Sequence, residues 1–115
     1  MQSYSWSEFG REAEFVVALY LKSRGWSVSL SKGSKGPADI TAVRRDALWF
    51  IQVKASSKSA RLKGYEVKRL SEMADLKGGL AVVAILQPAS RYSSITLGHY
   101  GITFYQLENW QSIRP

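Results

Sequence analysis

Apolar and polar positions alternate along the 115 residues with two different periods. Phe9, Ala13, Val16, Val17, Tyr20 and Leu21 recur at the spacing of one helical face and predict a first helix. Ser5 followed by Glu8 is a capping-box pattern at its start, and Gly25 closes it after about Arg24. Trp26, Val28 and Leu30 then alternate with serines, the period of a half-buried strand. Two further strand-like runs follow at 39–43 and 47–53, the second rich in aromatic and β-branched residues. Val67, Leu70, Met73, Ala74 and Leu76 return to helical spacing over 66–77, and Gly78-Gly79 ends that helix. Residues 80–87 are almost continuously apolar, as in a central strand covered on both faces. Residues 95–97 and 102–107 are shorter strand candidates, and 108–115 reads as a last helical turn around Trp110. This order predicts an α/β fold, a mixed sheet of about five strands flanked by helices, in a single domain over 1–115.

The stretch 39–54 organises the rest. A two-residue turn centred on Arg45 and Asp46 makes Arg44 face Ala47 and sets Asp39 opposite Gln52. Cross-strand partners share a face, and Lys54 joins them because the strand period is two. Asp39, Gln52 and Lys54 are therefore expected on one patch, where a carboxylate, an amide oxygen and an ammonium suit a divalent cation beside a phosphate. A one-residue slip would send Gln52 and Lys54 to the other face. Glu14 falls at the border of the first helix's apolar stripe, able to look along the helix toward a sheet edge, while Glu8 and Glu12 lie on the opposite border.

Charge and composition narrow the chemistry. Sixteen Lys and Arg against nine Asp and Glu give a net charge of +7, which favours a polyanionic partner such as nucleic acid. The absence of cysteine excludes disulfides and thiolate zinc sites, and the single His99, expected in a surface turn, cannot build a histidine cluster. Any metal is then oxygen-ligated, pointing to magnesium, manganese or calcium. The N-terminus lacks the layout of a secretory signal, and the longest apolar run is too short to span a bilayer, so an intracellular, cytoplasmic protein with no membrane partner is expected. The loops 31–37 and 56–64 are polar and basic. They read either as solvated connectors or as phosphate-contacting loops, through Lys32, Ser34 and Lys35 in one and Lys58, Arg61 and Lys63 in the other. Arg44 and Arg45 are further DNA-contact candidates, taken as loop residues beside the proposed site.

Pro37-Ala38-Asp39 and Gln52-Val53-Lys54 resemble the motif of the PD-(D/E)xK nuclease superfamily. Gly10-x-x-x-Glu14, Gly25-Trp26, the Gly/Ser loop before Asp39, and Gly78-Gly79-Leu80-Ala81 fall at spacings similar to those of archaeal-type Holliday junction resolvases, over residues 10–86. The resemblance implies a restriction-endonuclease-like fold and Mg²⁺-dependent hydrolysis of phosphodiesters in branched DNA, with Mn²⁺ able to substitute. It implies a homodimer, for which the apolar stretch 100–110 is a candidate surface. It also implies an active site of Glu14, Asp39, Gln52 and Lys54, in which Glu14, Asp39, the Gln52 side chain and the Val53 carbonyl hold metal. The family pattern has Glu where this chain has Gln52, which removes one negative charge while keeping an oxygen ligand. A restriction- or repair-type endonuclease of the superfamily, and a catalytically weakened DNA-binding module of the same fold, are the alternatives.

Overall fold

The apolar stripe of the first helix settles onto one face of a sheet, and that contact sets the architecture. The computed structural model describes residues 6–31, 36–55, 64–91 and 93–115, with side chains from residue 11 onward. Helix α1 (Trp6–Ser23) buries Ala13, Val17, Ala18 and Leu21. Gly25, at a φ of +91°, supplies the left-handed residue that stops it. The Gly25 and Trp26 amides return to the carbonyls of Lys22 and Leu21 and so satisfy the last turn. Ser5, the expected cap, lies outside the described residues.

Strands β1 (Ser27–Leu30), β2 (Ile40–Arg44) and β3 (Ala47–Ala55) run as antiparallel neighbours. Helix α2 (Gly64–Lys77) then crosses over, so that β4 (Leu80–Pro88) pairs parallel with β3. Among the described residues β5 (Thr96–Leu97), β6 (Tyr100–Gln106) and β7 (Ser112–Ile113) complete a seven-stranded mixed sheet, ordered β1-β2-β3-β4-β6-β5 with β7 on β6. The two helices take opposite faces. Under α1 lie Trp26, Ile40, Trp49, Ile51, Val82 and Phe104, whereas α2 packs Leu70 and Ala74 against Phe50, Ala81 and Val83. The alternation along β3 follows from this two-sided burial: Trp49, Ile51 and Val53 turn to α1, and Phe50 turns to α2. No helix among the described residues is long and apolar enough to cross a membrane.

Several sequence expectations need correction. Among the described residues the sheet has seven strands rather than about five, because two-residue strands at its far edge carry too little pattern to read. The tail forms β7 beside β6 instead of a helical turn. Leu76 is 87% exposed, since it sits about 120° around α2 from the buried Leu70. β1 is an edge strand whose Leu30 is exposed, and Trp26 is buried just before it. The stretch 100–110 is no apolar surface: Ile102, Phe104 and Leu107 are core residues, and of its large hydrophobics only Trp110 is exposed. His99 is exposed in a turn, as expected, where its carbonyl accepts the Ala89 amide at 2.8 Å.

Gly79, between α2 and β4, is held by close approach. A Cβ built there would stand 2.6 Å from a Phe50 ring carbon and 2.9 Å from the Leu48 carbonyl oxygen. Gly79→Ala is expected to cost about 1–3 kcal/mol, the scale of overpacking a filled site, read as a lower urea midpoint. Unchanged stability would mean that β3 yields locally to the added methyl.

Candidate active site

The turn between β2 and β3 is the two-residue one expected, with Arg44 paired to Ala47 and Arg45 at a φ of +54°. Ile40 pairs with Ile51, so Asp39, one residue before β2, stands across from Gln52. Here the regular ladder ends and the Asp39 side chain takes over. Its backbone amide donates to the Ile51 carbonyl at 2.8 Å, and its Oδ2 accepts the Val53 amide at 2.8 Å. The Asp39 carbonyl in turn accepts the Ser31 amide at 2.9 Å. The carboxylate is thereby fixed in position where β2 stops and β3 continues.

Lys54 lies two residues beyond Gln52 on β3. Its Nζ donates to Glu66 Oε1 at 3.0 Å, with both side chains part-buried. Burial pushes the Asp39 carboxyl above its ordinary value; the Val53 amide and the Lys54 charge pull it back, and the Glu66 charge pushes it further up. The Glu14 carboxyl is raised first by burial and then by the charge of Asp39, against a smaller opposing effect of Arg11. The repulsion between the two carboxylates is expressed at Glu14, so the α1 side chain stands within electrostatic reach of the hairpin.

The structure thus gathers Glu14, Asp39 and Lys54, and sets the half-buried Gln52 across from Asp39. Val53 takes part through its amide. Arg44 and Arg45 require correction as residues beside this site. They lie at the other end of the hairpin, five strand residues or roughly 16 Å from Asp39. Arg44 instead covers the Trp26 ring at 5.1 Å and donates to the Arg24 carbonyl at 3.2 Å. Lys32, Ser34, Lys35, Lys58, Arg61 and Lys63 lie outside the described residues. Glu66 is the member that sequence reasoning missed. Its signal was available: an acid in the first turn of a crossover helix lies near the C-terminal end of the preceding strand, where Lys54 is.

Among the described residues no three His, Cys, Asp or Glu side chains form a ready-made metal cage. The oxygen donors nevertheless fit a hard divalent cation, which commonly takes one or two carboxylates and keeps several waters. Burial raises both Glu14 and Asp39, the charge of Asp39 raises Glu14 further and that of Glu66 raises Asp39, and a cation bound beside the two carboxylates would offset these effects.

A mixed sheet with a helix on each face makes this an α/β fold, and it carries a carboxylate and a lysine together where an antiparallel hairpin opens. No family model and no curated protein matches the chain. Sixteen solved chains match it, among them Archaeoglobus fulgidus Hjc, a Holliday junction resolvase from an archaeal hyperthermophile. That likeness covers 86% of this chain and 73% of that one, with a TM-score of 0.72 and 22% sequence identity, and it is a likeness of fold.

Proposed function

We propose that the protein is a metal-dependent, structure-specific DNA endonuclease, a Holliday junction resolvase that hydrolyses phosphodiesters in branched DNA. The observation that carries this reading is the Asp39 carboxylate, locked by the Val53 amide beside Lys54 and within reach of Glu14, in a fold shared with a resolvase. Glu14, Asp39 and the Gln52 side-chain oxygen, with the Val53 carbonyl, would hold Mg²⁺ or Mn²⁺. The chemistry that such an ion supplies is charge neutralisation at the scissile phosphate and activation of water. Asp39 orients its ligand oxygen because its carboxylate cannot rotate without losing the Val53 amide. Lys54, ion-paired with Glu66, stabilises the negative charge that develops on the phosphate. The net charge of +7 and the basic residues of 32–35 and 58–63 would supply phosphate contacts, and a two-fold dimer would present two such centres to a symmetric junction.

Gln52 favours a second reading, a DNA-binding module of the same fold whose centre has lost too much negative charge to cleave. One assay separates these readings: a four-way junction, a flap and a plain duplex incubated with the protein in Mg²⁺ and in chelator. The junction is expected to be cut, only in Mg²⁺, at least about tenfold faster than the other two, a difference of about 1.4 kcal/mol in barrier. Preferred cutting of flap or duplex would indicate a repair- or restriction-type endonuclease. Junction binding without metal-dependent cutting would establish the binding module.

A further inference from the structure

Lysine carries its charge on a flexible four-carbon stem, and Lys54 retains 29% of its side-chain exposure. An ammonium so placed needs an anchor to stay at the site. β3 offers none nearby on that face, because the residue two before it is the neutral Gln52. Asp39 already commits Oδ2 to the Val53 amide. The anchor comes from the opposite element: Glu66 Oε1 meets Lys54 Nζ at 3.0 Å. Glu66 precedes the fully buried Leu70 by four residues, so it lies on the helix face that turns to the sheet, not on the solvent side. An acid placed only to favour the helix N-terminus has no need of that face.

We propose that Glu66 is a positioning residue of this centre: its carboxylate, set by the packing of α2 on the sheet, holds the Lys54 ammonium beside Asp39 and restores from the helix the anion that Gln52 withholds on the strand. The kinetic consequence rests on the endonuclease reading above, whereas the placement of Lys54 does not.

The test compares wild type, Glu66→Gln, Lys54→Ala and the double variant. Single-turnover junction cleavage is measured in Mg²⁺, and junction affinity with Ca²⁺ in its place. Lys54 acylation by an N-hydroxysuccinimide ester is followed without DNA or metal by peptide mass spectrometry. Glu66→Gln is expected to slow cleavage at least about tenfold, the scale of losing a residue that orients another, with junction affinity within about twofold. The double variant is expected to be no slower than Lys54→Ala, since both changes remove the same interaction. Lys54 of Glu66→Gln is expected to acylate at least about threefold faster as its ion pair opens. Multiplying losses in the double variant, or unchanged Lys54 acylation, overturns the proposal. If wild type does not cleave, the endonuclease reading fails and the acylation rates alone decide the role of Glu66. Should the Gln variant fail to fold, Glu66→Asp carries the same measurements, because it keeps the charge but withdraws it by one methylene.

Discussion

Asp39→Asn is expected to slow Mg²⁺-dependent junction cleavage on the order of a thousandfold, the scale of losing a preorganised group that acts in the transition state. The same substitution is expected to raise the melting temperature at pH 7 when divalent cations are absent. Burial and the charge of Glu66 hold the Asp39 carboxyl above its ordinary value, and burial and Asp39 do the same to Glu14. A carboxyl that binds its proton more tightly in the folded chain than in the unfolded one contributes stability at low pH. That contribution is complete below the unfolded value of about 4 and is lost as pH rises through the folded value. At neutral pH both groups are therefore a burden on the fold, the usual cost of assembling a charged site. Asparagine removes one charge, relieves the other carboxylate, and still offers an oxygen to the Val53 amide. Added Mg²⁺ is expected to raise the wild-type melting temperature, by binding the folded state alone, and to leave that of Asp39→Asn nearly unmoved. A variant that cuts at the wild-type rate would remove Asp39 from the mechanism. A melting temperature that drops at pH 7 would mean that the carboxylate itself anchors β3.

Phe104→Ala is the substitution expected to damage the fold most. Phe104 is fully buried on β6, with its ring centroid 6.0 Å from that of Trp49 and 6.3 Å from that of Tyr20. It thus joins β6, β3 and α1 across three separate parts of the chain. Truncation leaves a cavity among groups that cannot close on it, at a cost of about 3–5 kcal/mol. Against a total of about 5–15 kcal/mol for a domain, that is a large fraction. The check is a urea titration in which the midpoint falls and the slope is kept. Leu76→Ala, at a position 87% exposed, should stay within about 0.5 kcal/mol of wild type. A small loss at Phe104 would show that the aromatic cluster repacks.

Periodicity carried most of the architecture. The helical stripe around Val17 and Leu21, the apolar run from Leu80, and the glycines after each helix all report constraints that act within a few residues, so they survive in one dimension. The Asp39–Gln52 alignment was readable for the same reason, since a two-residue turn leaves one register. The reading failed where burial is decided by remote partners. The run from Tyr100 looked like a free apolar surface because nothing local states that β6 lies beside β4. Arg44 and Arg45 were set beside the site because nearness in sequence stood in for nearness in space, whereas a hairpin carries its turn away from its open end.

The amino-acid order alone determined the helices, the central hairpin and the alignment of Asp39 with Gln52, because helix and strand periods and turn length are local properties. Tertiary structure alone decided that Glu14 from α1 feels the charge of Asp39 and that Glu66 from α2 grips Lys54. Those meetings depend on which face of the sheet each helix covers and on where the crossover returns, and both are set by packing the whole core at once.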